Sequence, residues 1–275
     1  MAVTRRDLLK TFAVASVGAV SGAVTWGTVY ERHRVRRITR DIQVRGLPPA
    51  LDGLRVGVIT DVHHSGVVPA DDVRRAVALL TDAAPDLTVL GGDYVSFFDR
   101  QYAAPVAELL APLANAPHGA FAVLGNHDDE RDVPAALMAR GFAVLKDQRT
   151  QLTIRGERLD LAGIGFWTRT AGDIARVLTG TGGTTILLAH DPRRLREAAA
   201  LDVQLVLSGH THGGQVILPA VGALAGRRFP VLAGYASRDN TSMFVSRGVG
   251  TVYVPVRINC PPDVAILTLR TAALA

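Results

Sequence analysis

Five short apolar runs punctuate the chain, and each stops abruptly at polar residues. They are Leu54–Thr60, Asp86–Leu90, Gly119–Leu124, Thr185–Ala189 and Val203–Leu207. Runs this short, rich in Val, Ile and Leu and bounded by turn residues, predict buried strands. Between them, Asp71–Ala83, Ala103–Leu113, Asp132–Arg140 and Gly172–Leu178 carry apolar residues at helical spacing, with acids in the first turn of the first. Phe142–Leu145 predicts a further strand, Gln151–Arg155 and Arg158–Gly163 a hairpin, and Ser242–Ser246, Val252–Val256 and Val264–Leu269 the closing strands. Strand–helix alternation followed by β-rich sequence predicts one α/β domain over residues 46–275.

The chain has 275 residues, 48% of them hydrophobic, enough for one sizeable core. Its formal charge of +5 invites a nucleic-acid reading. However, residues 1–45 hold nine Lys/Arg and three acids, leaving 21 bases and 22 acids over the remainder. A near-neutral body has no long basic face, so no nucleic-acid partner is expected. The basic start, Thr4-Arg5-Arg6-Asp7-Leu8-Leu9-Lys10, precedes an Ala/Gly/Val-rich stretch to about Tyr30. It resembles a twin-arginine export signal. This predicts engagement of the twin-arginine translocation machinery and an extracytoplasmic body. A plain membrane anchor also fits, because about twenty apolar residues span a bilayer, and Arg32 to Arg45 favour a cytoplasmic body. Residues 1–45 are therefore assigned to a signal or anchor plus basic linker. The one cysteine, Cys260, allows no intrachain disulfide.

Ligand-type side chains gather where the five runs end: Asp61-Val62-His63, Gly92-Asp93, Gly125-Asn126-His127-Asp128, His190-Asp191 and Gly209-His210-Thr211-His212. Sites in open α/β sheets lie at the carboxyl ends of strands, so these residues should converge. Carboxylate and amide oxygens with imidazoles suit borderline divalent ions such as Mn, Fe or Zn, and no thiolate set for structural zinc is present. In extended backbone, residues i and i+2 share a side, pairing Asp61 with His63 and His210 with His212. Glycines before Asp93, Asn126 and His210 allow sharp turns and close approach.

The motifs D-x-H, G-D, G-N-H-[DE], H and G-H-x-H, in this order, resemble the calcineurin-like metallophosphoesterase family over about residues 54–270. Gly209 to Gln215, Ser246-Arg247-Gly248 and Pro255-Val256-Arg257 are similar to a branch of signal-bearing or membrane-anchored bacterial phosphodiesterases related to UDP-diacylglucosamine hydrolases. The resemblance implies a four-layer α/β/β/α sandwich of two mixed β-sheets. It further implies one metal held by Asp61, His63 and His212, a second held by Asn126, His190 and His210, Asp93 bridging both, and His127 as the acid. Attack by a metal-bridged hydroxide on an envelope, lipid-linked, cell-wall or nucleotide-sugar phosphoester follows from it. The pattern often has a second aspartate where this chain has Ser96, so Asp128 or Asp99 would have to orient His127. Arg247 and Arg257 are candidate phosphate contacts. The competing reading is a non-catalytic metal-binding scaffold using the same fold for protein interactions.

Overall fold

The computed structural model describes residues 4–272. Among them, one six-stranded sheet runs in the order β1 (Arg36–Val44), β14 (Asp263–Thr271), β2 (Arg55–Ile59), β3 (Leu87–Leu90), β4 (Ala120–Ala122) and β5 (Ala143–Val144). Strands β2 to β5 are parallel, while β14 runs antiparallel to β2 and parallel to β1. The second sheet runs β12 (Gly234–Arg238), β13 (Thr241–Val245), β9 (Leu205–Ser208), β8 (Thr184–Ala189), β7 (Glu157–Ile164) and β6 (Gln148–Ile154), with the inner four parallel. A small hairpin, β10 (Ile217–Leu218) and β11 (Gly222–Ala223), stands apart.

Alternation along the strands builds the layers. Ile186 and Leu188 of β8 join Val58, Val89, Leu161 and Leu207 in the core between the sheets. The intervening Leu187 and Ala189 turn outward to Ile174 of α5 (Ala171–Val177) and Leu195 and Ala198 of α6 (Leu195–Ala200). On the other outer face, Ile59, Leu90 and Ala122 pack against α2 (Ala70–Thr81), α3 (Ala103–Leu110) and α4 (Asp132–Met138) through Val73, Val106 and Leu137. This is the four-layer sandwich. The parallel strands are buried on both faces, as near-continuous apolar runs require.

Three elements depart from the pattern-based expectation. Residues 36–44, placed in a basic linker, form β1, in register with β14 from Arg36↔Asp263 to Val44↔Thr271. Its inward residues Ile42 and Val44 are fully buried, while Arg36, Arg37 and Arg40 stand exposed and blunt the sheet edge against pairing with other chains. Val252–Val256 is no strand, although its β-branched residues suggested one. Tyr253 has φ +62°, and Val254 and Val256 donate to the carbonyls two residues back rather than to a neighbouring strand. Helix α6 was not anticipated.

Helix α1 (Arg5–Thr25) precedes the sandwich. Residues Leu8–His33 form a helical stretch of 26 residues whose apolar window is unburied, long and apolar enough to cross a membrane.

If β1 is part of the domain, Ile42→Ala should lower unfolding stability by ~2–4 kcal/mol, as for other buried aliphatics. Thr39→Ala, at an exposed position of the same strand, should be neutral within ~0.5 kcal/mol. Denaturant titration compares the two, and equal, negligible effects would restore the linker assignment.

Candidate metal centre

Both sheets present the carboxyl ends of their inner strands to one cleft. Asp61 and His63 follow β2, Asp93 follows β3, and Asn126, His127 and Asp128 follow β4. From the second sheet, His190 follows β8, and His210 and His212 follow β9. Two ligand sets form, Asp61 with His63 and His212, and Asp93 with His190 and His210, each with its ligand atoms within 4.8 Å of one another. His63 Nε2 lies 3.1 Å from His212 Nε2, and Asp61 Oδ1 lies 3.4 Å from His212 Nε2. Asp93 Oδ2 is 3.1 Å from His190 Nε2 and 3.5 Å from His63 Nε2, so it links the sets. A tetrahedral ion with bonds of about 2.1 Å has ligand–ligand edges of about 3.4 Å. The observed spacings match that scale.

The backbone is bent to achieve this. Asp61, His63, Asp93, His210 and His212 all have left-handed φ, between 49° and 71°. Such conformations cost of order 1–3 kcal/mol each for non-glycine residues and concentrate at functional sites. Glycine is needed where the turns meet. A Cβ on Gly125 would collide with the Asp93 carboxylate, and one on Gly209 with that of Asp61.

The donor set fits cations. His190 Nδ1 donates to the Gly91 carbonyl at 2.7 Å, which leaves the Nε2 lone pair of the neutral ring facing the Asp93 carboxylate. Nε2 has no hydrogen-bond partner among the described residues, nor has the buried Asn126 Oδ1. Two acceptors face to face need a proton or a cation between them. In the protein alone a proton does this: burial opposes charge on His190, but Asp93 and Asp61 outweigh it and push its pKa up to about 10. Burial likewise opposes the Asp93 charge, yet His190, His63 and His127 hold its carboxyl below the usual range. Burial raises Asp61 to about 6 and lowers His63 and His210 to about 4, so these imidazoles are neutral ligands at pH 7.

The remaining sequence-nominated residues divide. His127 Nδ1 accepts from the Phe97 N–H at 3.2 Å, which leaves the proton of the neutral ring on Nε2. Burial lowers its pKa. Among the described residues, neither proposed orienting aspartate hydrogen-bonds its ring. Asp128 instead accepts from the backbone N–H groups of Asp93, Tyr94 and Gly125 at 2.7–2.8 Å, and Asp99 holds Gln101. Ser96 Oγ lies 3.3 Å from His63 Nδ1. Arg257 is corrected from phosphate contact to internal brace. It is fully buried, and its guanidinium donates to the carbonyls of Arg247, Gly248, Gly250 and Cys260 at 2.6–3.2 Å. Arg247 pairs with Asp263 through Nη1, while its Nε is buried without a partner among the described residues.

Several aromatics were missed. The rings of Phe97 and Tyr253 lie 5.0 and 6.1 Å from His127, and those of Phe166 and Phe229 each lie 5.2 Å from His210. Arg169 stacks over Phe166 and Trp167. Phe97 and Phe166 each sit a few residues beyond a strand end, which was the available signal.

The sequence profile of the calcineurin-like phosphoesterase family matches residues 54–214. A metallophosphoesterase of Bacillus subtilis (strain 168), YkuE, is 28% identical, with 98% of each chain covered. Phosphodiesterase YaeI of Escherichia coli (strain K12) is 33% identical over 77% of this chain and 80% of that protein. A Danio rerio protein named transmembrane protein with metallophosphoesterase domain is 30% identical over 90% of this chain, which spans 60% of that longer protein. With its two ligand sets, this chain belongs to the calcineurin-like phosphoesterase family and is a metal-dependent phosphoester hydrolase.

Proposed function

We propose that the chain is a two-metal phosphodiesterase, tethered to the membrane by α1 and acting on an envelope phosphoester, either lipid-linked or a nucleotide sugar. The observation that carries the reading is the gathering of Asp61, His63 and His212, and of Asp93, His190 and His210, into two ligand sets, beside the buried Asn126 Oδ1 and His190 Nε2, which lack a hydrogen-bond partner among the described residues. The phosphodiesterase name of the Escherichia coli relative and the transmembrane name of the zebrafish one support the diester and membrane parts.

Asp61, His63 and His212 would hold one ion, Asn126, His190 and His210 the other, with Asp93 between them. Two bound divalent ions would supply an activated water and neutralise charge on the phosphoryl oxygens. The chain supplies the remainder. The Gly91 carbonyl fixes the ring of His190 through Nδ1, as an outer partner does for a ligating imidazole. His127, held by the Phe97 N–H, offers the Nε2 proton to the departing oxygen. Arg247, with its unpartnered Nε, contributes positive charge toward a non-bridging oxygen.

Four results should follow. Purified protein should carry two divalent ions per chain by elemental analysis, and chelation should abolish hydrolysis of an aryl phosphodiester. Asn126→Ala should retain one ion or fewer and lose at least 100-fold in turnover. A folded, metal-replete protein inert toward diesters, monoesters and pyrophosphates would favour the scaffold. His127→Ala should cost ~10²–10⁴-fold for an alkyl leaving group and much less for nitrophenolate, which departs without a proton. An equal loss for both would remove the proton-donor role. Finally, replacing both Arg5 and Arg6 by Lys should keep the body inside the cell, tracked by protease accessibility in spheroplasts. Unchanged accessibility would refute twin-arginine export.

A further inference from the structure

A groove of about 420 Å³ lies beside the metal centre, between the loop carrying Gly66 and Val67 and the loop carrying Val252 to Pro255, with Phe97 and Tyr102 along its floor. Its inner end reaches His127, since Phe97 and Tyr253 lie against each other at 5.6 Å and both rings approach the imidazole. Its outer lip is apolar and bare. Val67 is 49% exposed, Phe97 56%, Tyr253 78% and Val254 53%, and Phe98, next to Phe97 but outside the groove, is 57% exposed. Phe97, Phe98 and Tyr253 hold left-handed backbone. Contiguous exposed apolar side chains of this kind mark a contact surface.

What covers the lip is indicated by where the apolar N-terminal helix ends. The residues that follow α1 are fastened to both groove loops. Arg32 Nη1 donates to the Val67 carbonyl at 3.1 Å. On the other loop, the Arg257 N–H donates to the Gly27 carbonyl at 3.1 Å, and the buried Glu31 carboxylate accepts from the Cys260 N–H at 2.7 Å. Gly27 itself packs so closely that a Cβ would stand 2.6 Å from the Arg257 carbonyl oxygen. Trp26 and Tyr30, each about half exposed and stacked at 4.3 Å, are the residue types that mark the membrane–water boundary. Six residues separate Trp26 from Arg32, about 9 Å of helix, and the headgroup layer is about 5–8 Å deep. With α1 crossing the bilayer and Trp26 at its boundary, the groove lip would stand at the outer face of the headgroup layer. Exposed Arg34, Arg36 and Arg37 follow directly, adding attraction to anionic lipid.

We propose that Val67, Phe97, Phe98, Tyr253 and Val254 form a membrane-docking lip, seated in the leaflet interface beside α1, so that the metal centre opens along the bilayer and the groove admits the apolar tail of a membrane-lipid phosphodiester. The proposal rests on the reading of α1 as a membrane anchor and of the cluster as a phosphodiesterase centre.

The test uses the full chain in vesicles of equal phosphatidylcholine and phosphatidylglycerol. Cys260 is buried, so a nitroxide can be attached at single introduced cysteines: Val17→Cys within α1, Val67→Cys and Val254→Cys on the lip, and Thr153→Cys at the opposite ends of the strands. Collision with dissolved oxygen against a water-soluble nickel chelate reports depth. The labels at 67 and 254 should gain oxygen and lose nickel accessibility on reconstitution, while that at 153 should not change. If the label at 17 is lipid-buried but those at 67 and 254 stay as nickel-accessible as 153, the lip proposal is overturned alone. If 17 is not lipid-buried, the anchor reading fails and takes the lip with it. In parallel, Val67→Glu with Val254→Glu should cut hydrolysis of a vesicle-embedded phosphodiester at least tenfold, leaving a soluble aryl phosphodiester within twofold. Equal losses on both would count against the lip. Depth is read without turnover, so a catalytically inert chain would sink the phosphodiesterase reading and leave the lip standing or falling on its own labels.

Discussion

Acceptor facing acceptor in a dry cleft is the constraint around which this molecule is arranged. Once His190 Nδ1 is tied to the Gly91 carbonyl, its other nitrogen confronts the Asp93 carboxylate with nothing of the protein's own between them. Burying such groups without a counter-charge costs several kcal/mol. The protein alone answers by moving protons, lifting His190 to about 10 while pulling Asp93 down. Divalent cations would answer the same demand for both ligand sets at once, and the buried Asn126 oxygen, without a partner among the described residues, is one that no proton shift can satisfy. The backbone is bent for the same purpose. Left-handed turns at five ligand positions aim short side chains into one small volume, and the apolar packing between the sheets offsets their strain.

Much of this was legible because the chemistry sits at transitions in the pattern. A parallel strand buried on both faces reads as an unbroken apolar run, so the first polar residue after it announces the carboxyl end and the site. Five such ends sufficed to gather Asp61, Asp93, Asn126, His190 and His210. Strand β1 was hidden because four of its nine residues are charged (Arg36, Arg37, Arg40 and Asp41), and only Ile42 and Val44 betray its inward face. Residues 252–256 erred in the other direction. Val, Tyr and Val read as strand, but whether Tyr253 adopts a left-handed turn depends on what packs around it. Arginine was the least legible type, since Arg257 could equally have faced a phosphate. Its encirclement by carbonyls is set by the path of residues 247–260, which no local pattern encodes.

The Ser96 position shows how a departure from a family pattern redistributes work. With no carboxylate there, His127 takes its second-nitrogen contact from a backbone N–H, and a donor at Nδ1 opposes a proton on that atom. The ring is thereby biased toward the neutral form with Nε2 protonated, a weaker acid than imidazolium but one of fixed orientation. Asp128 does not fill the gap because its oxygens already close the turns that carry Asp93 and Asn126.

The Arg257 brace also joins the cleft to the N-terminal helix. Its guanidinium holds the Cys260 carbonyl, the Cys260 thiol donates to the carbonyl of His212, and the Cys260 N–H reaches Glu31 at the foot of the helix. His212, a member of one ligand set, and the helix end are thus two hydrogen bonds apart through one buried loop. Breaking the Glu31–Cys260 contact would leave the buried Cys260 N–H without its partner, at about 1–3 kcal/mol, while the Glu31 carboxylate would keep only the Trp26 indole N–H. A swivelling tether would need solvent-satisfied polar groups at this junction, whereas the Glu31 carboxylate is held by the Cys260 N–H and the Trp26 indole N–H. As a membrane anchor, the helix would therefore set the orientation of the cleft as well as its location.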